Sequence, residues 1–278
     1  MKLKQLLSLS AFISSIAIFS QSYKIIYDFK WKTEEHSKDY NSELTVLLKN
    51  EDKSYFESLA KFKYDSIKTN LVNQGSRSFP APKQQWKLQT LISKDLKSQA
   101  TIAEENFFDK VYLTTYHCKP EWKILQEKNK LFNYNVQKAE TNFGGRKWIA
   151  WFTNEIPISD GPYKFFGLPG LILKIADSKE NFIFEIKGLT KEQNNIEGRN
   201  AYTAKVNFTP KQWETFWSKY QKDPSMIFAN LNSPNNTFTY VYHGLSVDSK
   251  EAKEMYNKTE KEKIDILKNP IETKSCEQ

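Results

Sequence analysis

Glycine, proline, histidine, cysteine and arginine are all scarce in this chain. Its 278 residues include 9 Gly, 10 Pro, 3 His and 2 Cys. So few glycines and prolines exclude a collagenous or low-complexity chain, and two cysteines exclude a disulfide-dense scaffold. Three histidines argue against a multi-histidine metal centre, so no metal is expected. Arginine supplies only Arg77, Arg146 and Arg199 of the 41 basic residues, the rest being lysine. Long apolar runs are missing too. The longest, Leu6 to Phe19, is interrupted by Ser8, Ser10, Ser14 and Ser15, and is shorter than the roughly 20 residues of a spanning helix. A mean hydropathy of −0.67 excludes a multi-spanning helical membrane protein. There is no G-x-S-x-G elbow, H-E-x-x-H, C-x-x-C, Walker loop or dinucleotide fingerprint, so no cofactor is expected.

The chain is rich in aromatic residues, with 19 Phe, 14 Tyr and 7 Trp. With 39% hydrophobic residues it can bury a sizeable core. The formal charge of +8 is carried by lysines interspersed with acids. Such a pattern serves solubility and does not point to nucleic acid.

Lys2 and Lys4 precede the short apolar run, and small residues follow it. This is the layout of a secretory signal peptide. The expectation is a signal peptide over 1–20, cleaved near Ser20, and a single domain over 21–278. No cysteine follows the run, so a lipid anchor there is not expected. Loss of Lys2 and Lys4 lowers the charge from +8 to +6. Export places the protein in the periplasm or in association with the outer envelope, with no transmembrane segment in the mature chain. In that oxidising compartment Cys118 and Cys276 can pair; two unpaired thiols are the alternative.

Period-2 patterns predict strands at Tyr23–Trp31, Glu43–Leu48, Ser54–Glu57, Trp86–Ile92, Lys110–Thr114 and Trp122–Leu125. Further strands are predicted at Gln137–Phe143, Arg146–Thr153, Leu171–Ile175 and Asn181–Gly188, the last two forming a hairpin across Asp177–Glu180. Residues 58–85 read as a long excursion. Thr209, Pro210 and Gln212 form a capping-box start for a helix with Trp213, Phe216, Trp217 and Tyr220 on one stripe. A charged helix is predicted from Ser249 to about Lys268. The expected fold is α+β, mostly β: a curved antiparallel sheet with helices packed on its concave side, similar in layout to the half-barrel of periplasmic lipoprotein carriers.

Residues 137–177 read QKAETNFGGRKWIAWFTNEIPISDGPYKFFGLPGLILKIAD. Gly167-Leu168-Pro169-Gly170-Leu171-Ile172 is similar to the name-giving motif of the GLPGLI family of exported Bacteroidota proteins. Gly145-Arg146, Ala150-Trp151-Phe152-Thr153, Ile156-Pro157-Ile158, Gly161-Pro162 and the late Asn269-Pro270-Ile271-Glu272 also resemble that family's pattern. This chain has Val136 where members commonly carry a cysteine. The resemblance implies export and a fold, not a reaction. Within the motif, Pro169 and Gly170 suit the central positions of a type II turn.

Candidate binding residues are Arg146, Trp151, Glu155, Asp160, Lys164 and Phe166, on or beside the loop that holds Gly161, Pro162 and the GLPGLI residues. Loops on a rigid scaffold commonly carry function. In a lysine-rich chain Arg146 implies fork geometry: a clamp on Glu155 or Asp160, or an anion site. His117-Cys118, His36 and His243 read as structural or solvated positions. Two functions follow. One is a non-catalytic binding or envelope-assembly protein that holds an apolar ligand or a partner protein. The other is a periplasmic enzyme using acidic residues and Arg146, which requires those groups to converge in a cleft. N-terminal sequencing of the exported protein tests the address: a start at Gln21 or close to it is expected, and a retained Met1 overturns it.

Overall fold

The alternation of the first strand carries through into the fold. In β1 (Ser22–Trp31), Ile25, Tyr27, Phe29 and Trp31 are buried on one face. The computed structural model describes residues 22–76, 78–108, 110–192, 204–229, 231–232, 239–265 and 268–275. The expected signal segment and Cys276 lie outside the described residues. After β1 come β2 (Asn41–Asn50), β3 (Lys53–Ser58), α1 (Leu59–Asn73), β4 (Leu91–Asp95), β5 (Ala100–Phe107) and β6 (Lys110–Tyr116). Then follow β7 (Lys123–Leu131), β8 (Tyr134–Phe143), β9 (Arg146–Thr153), β10 (Leu171–Asp177) and β11 (Phe182–Glu192). The chain continues with β12 (Ala204–Phe208), α2 (Pro210–Lys222), a 3₁₀ turn at Pro224–Phe228, the small hairpin β13 (Val241–Tyr242) and β14 (Leu245–Ser246), and α3 (Lys250–Asp265).

Twelve strands form one open sheet in the order β12-β6-β5-β4-β3-β2-β1-β11-β10-β9-β8-β7. Every pairing is antiparallel except β12 with β6. The expected hairpin of β10 and β11 is present, with Ile175 opposite Phe184. Three expectations are corrected. Residues 58–85 hold a full helix, α1, whose weak apolar stripe hid it. The strand expected at Trp86–Ile92 starts only at Leu91, because Glu43 accepts the backbone N–H groups of Lys87 and Leu88 at 2.9 and 2.6 Å and holds that segment out of the ladder. β5 went unpredicted because both of its faces mix polar and apolar residues, with Thr101 and Glu105 on the inner face and Ala100 and Ile102 on the outer, so no clean alternation marks it; only Thr101 and Ala103 are buried.

Residues 154–170, between β9 and β10, fill the sheet's inner face. Ile156, Ile158, Tyr163, Phe165 and Leu168 belong to the same core cluster as Tyr27, Phe56, Ile92, Trp148 and Phe184. This plug shows how strongly the sheet curls. Lys164 Nζ lies 3.9 Å from the ring centroid of Tyr116 on β6, while Phe165 stacks edge-on against Phe143 on β8 at 5.8 Å. Those strands are nine places apart in the sheet, about 43 Å if it were flat. A short loop touches both only because the sheet wraps round it.

The helices divide between the faces. α1 lies on the outer side, over Val46 and Leu48 of β2 with Ile26 and Tyr55 alongside. Lys61 on α1 sits between Glu57 at 3.0 Å and Asp65 at 2.7 Å. α2 packs on the inner side at the β5–β6–β12 end, where its aromatic stripe meets Phe107, Tyr112 and Phe208. Its capping box is formed as expected: Gln212 N–H donates to Thr209 Oγ1 and Thr209 N–H to Gln212 Oε1. α3 joins through Tyr220, whose hydroxyl meets Tyr256 and Glu260. The middle of the concavity therefore holds the plug in place of a helix. No helix among the described residues is long and apolar enough to cross a membrane.

The GLPGLI turn differs from the expected type II. Gly170 N–H donates to Leu168 O at 2.8 Å, which closes a three-residue γ-turn centred on Pro169. Ile156–Ile158 and Ile158–Asp160 make two more such turns. Gly170 is required by close approach: a Cβ there would lie 2.0 Å from the carbonyl oxygen of Thr153. Backbone cannot yield as a flexible side chain can, so Gly170→Ala is expected to cost more than about 3 kcal/mol by urea denaturation. Gly188→Ala, with nothing within 4 Å of the new Cβ, serves as the near-neutral comparison.

Candidate functional site

Plug, sheet and C-terminal tail meet through ionisable side chains. A polar row runs across the inner face, Lys49 opposite Ser54, Ser54 opposite Lys94, Lys94 opposite Thr101 and Thr101 opposite Tyr116. From this row Lys94 reaches the plug. Its Nζ is 2.6 Å from Asp160 Oδ1, and both side chains are fully buried. It also donates to Gly161 O at 2.6 Å. Burial lowers the pKa of Lys94, and Asp160 beside it only partly offsets that.

A second cluster lies next to the first. Lys164 Nζ pairs with Glu272 Oε1 at 2.8 Å, and Tyr163 OH donates to the same oxygen at 2.7 Å. Burial and the nearby Glu272 raise the pKa of Tyr163. Tyr163 holds a φ of +53°, a strained conformation for an aromatic residue. On β5, Glu105 is half-buried and accepts from Thr90 Oγ1 at 2.5 Å. Burial pushes its carboxyl up to about 7, although the Thr90 hydrogen bond and Lys164 pull it down.

The third group fastens the tail. Arg146 donates from Nε to Ile271 O at 3.1 Å, and from Nη2 to Asn269 Oδ1 at 2.6 Å and Pro270 O at 2.7 Å. Its Nη1 pairs with Asp177 at 3.3 Å, and its guanidinium lies 4.8 Å from the Phe182 ring centroid. Gly144 O receives Thr273 N–H at 2.8 Å. A Cβ on Gly144 would come within 2.6 Å of Glu272 Cγ, and one on Gly145 within 2.2 Å of Thr273 Oγ1. The separated motifs Gly144-Gly145-Arg146 and Asn269-Pro270-Ile271-Glu272 are thus two halves of one joint.

The residues singled out from sequence do not form a single site. Arg146 is a clamp, but on Asp177 and the tail, not on Glu155 or Asp160. Glu155 is exposed and accepts from the backbone and side chain of Asn135 at 2.9 Å each. Asp160 and Lys164 lie in the plug, in different ion pairs. Trp151 is half-buried under Lys138 Nζ, 5.7 Å from its ring. Phe166 is buried, and its carbonyl receives Trp122 Nε1 at 2.8 Å. Gly161 lies against Ile172, where a Cβ would meet Cδ1 at 2.7 Å. Pro162 O accepts from Phe165 N at 3.1 Å. Leu168, Leu171 and Ile172 are core residues, and Gly167 has φ +95°. Cys118 packs half-buried against the main cluster.

Sequence reasoning missed Lys94, Glu105, Tyr116 and Tyr163. For Lys94 a signal was present: it stands two residues after Ile92, so period 2 places it on the buried face once the strand extends beyond Ile92. Glu105 had no such signal.

The sequence model of a family described as "Protein of unknown function (Porph_ging)" matches residues 144–174, from the first glycine of the joint to Lys174 on β10. No curated protein matches the chain. Among solved structures, PNGF-II in its P21 crystal form aligns with TM-score 0.51 and 18% identity over 73% of this chain and 34% of that one. Its C2 form gives TM-score 0.52 and 17% identity with the same coverage. The chain is similar in fold to these and spans about a third of their length.

Glu105 makes stability depend on pH. Its folded pKa of about 7 lies above the ordinary 4.5, so between those values the folded state holds the extra proton. Its contribution is complete below about pH 4.5 and is lost as pH rises through 7, by at most about 3 kcal/mol. Glu105→Gln should remove that decline, so that wild type minus variant stability, from urea titrations at pH 5 and pH 8, falls with pH. A constant difference contradicts the assignment.

Proposed function

We propose that the chain is a GLPGLI-family protein exported to the cell envelope, where it acts as a non-catalytic binding or assembly module that holds a partner protein. The observation that carries this reading is the filled interior. The concavity that could have held an apolar ligand is packed with residues 154–170. The groups required for the expected enzyme do not converge: Arg146, Glu155 and Asp160 each serve a different structural contact. The similarity to one third of PNGF-II supports a module, since in that chain a like fold accompanies much further polypeptide.

With the middle of the concavity filled, recognition belongs at the exposed surface around α2, at the β5–β6–β12 end. A groove of about 470 Å³ runs beside α2. Phe208, Phe216 and Met226 supply its apolar lining, and Lys211, Gln212, Thr215 and Lys219 complete it. A second reading rests on Glu105 alone. Burial raises its carboxyl to about 7, and Thr90 Oγ1 donates to it at 2.5 Å, so Glu105 is the candidate acid–base group of that reading.

Photo-crosslinking in producing cells tests the binding reading. A benzoylphenylalanine at Thr215, in the groove, should give a discrete adduct with one envelope protein. The same probe at Lys128, on edge strand β7, should give none. A lipid adduct at Thr215 would favour the apolar ligand over the protein partner. No adduct from a folded, exported Thr215 variant overturns the groove as a binding face.

A further inference from the structure

We propose that Lys94 and Asp160 condense into an intramolecular isopeptide bond that staples β4 to the plug. The two side chains are fully buried, and Nζ already stands 2.6 Å from Oδ1. No solvent competes for either group.

The hydrogen bonds around the pair suit an amide better than two ions. A carboxylate has two acceptor oxygens and an ammonium three donors. Here Oδ1 accepts from Gly161 N–H at 2.8 Å, but Oδ2 has no partner among the described residues. A buried charged oxygen without a donor is costly. Nζ donates to Gly161 O at 2.6 Å, and its remaining acceptor, Phe165 O, is distant at 3.5 Å. A secondary amide has one acceptor and one donor. Gly161 offers the complement of both, its N–H to the amide oxygen and its carbonyl to the amide N–H. The atom expelled by condensation is the one without a partner.

The neighbourhood also favours the reactive form of the lysine. Burial, and the positive charge of Lys49, shift Lys94 toward the neutral amine, which is the nucleophile. The cross-strand neighbours of Lys94, Ser54 and Thr101, are uncharged.

The step balances without any co-reactant. The ammonium first returns a proton to the carboxylate, which leaves an amine and a carboxylic acid. The amine lone pair attacks Cγ, the Nζ–Cγ bond forms and the Cγ–Oδ2 bond breaks. Oδ2 departs as water, taking the acid proton and one amine proton. The second amine proton remains as the amide N–H. Nothing is oxidised or reduced.

Intact mass spectrometry of the purified, reduced protein, followed by a tryptic map, provides the test. The chain should be lighter than its sequence by one water. The peptides holding Lys94 and Asp160 should elute joined, with no cleavage after Lys94. Asp160→Asn should form the same link with loss of ammonia in place of water. Lys94→Met should give two separate peptides. A wild-type map in which Lys94 is cleaved normally and both peptides are free overturns the proposal. That measurement needs no variant to fold, and it is independent of the groove experiment.

Discussion

The contact between Lys94 and Asp160 is the constraint on which the rest of the architecture depends. A twelve-stranded sheet has a large apolar inner face, and here no helical layer covers its middle. A loop does so instead, and a loop has few internal ladder bonds. Its buried carbonyls and amides must find partners elsewhere. Lys94 reaches in from β4 and supplies a donor to Gly161 O, where water has no access. Trp122 serves Phe166 O in the same way, and Ile172 N–H serves Asp160 O at 3.1 Å. Three γ-turns satisfy further groups within the loop. The lysine is thus a hydrogen-bond donor to the plug as much as a charge.

The plug in turn fixes the tail. Tyr163 and Lys164 converge on Glu272, while Arg146 holds the three residues before it. Only a guanidinium can serve this position, because the site asks for a carbonyl at Nε, two acceptors at Nη2, a carboxylate at Nη1 and an aromatic face beneath. A lysine has neither the planar fork nor enough directed donors. This gives a physical reason for an arginine in a chain that otherwise uses lysine. It also explains why two motifs more than a hundred residues apart occur together: Gly144 and Gly145 must lack side chains for Glu272 and Thr273 to lie against them.

A filled interior moves the functional question outward. Most ionisable groups of the plug are engaged with one another and serve the fold. Glu105 differs, since it sits half-buried at the margin between plug and α2 with its carboxyl near 7. The groove beside α2 differs in another way, combining an apolar lining with lysines. Both lie at the β5–β6–β12 end, away from the Gly167–Ile172 turn, so that turn builds the scaffold and a different region is left exposed.

Local patterns decided much of this protein. Period-2 alternation marked β1, β8, β9 and β11, because one buried face imposes it, and the hairpin pattern with β11 marked β10, which is buried on both faces. The capping box gave the start of α2, because its chemistry is complete within four residues. The scarcity of arginine marked Arg146 as a residue with a geometric task. What the sequence left open was every feature that depends on what a segment packs against. α1 is held by the outer face of β2 and β3, not by its own stripe. Lys94 is a core residue only because a loop from far along the chain covers it. Asp160, Lys164 and Glu272 found partners that no spacing indicates. Alternation and capping act over a few residues and are written locally, whereas the partner of a buried charge is chosen by the curl of the whole sheet.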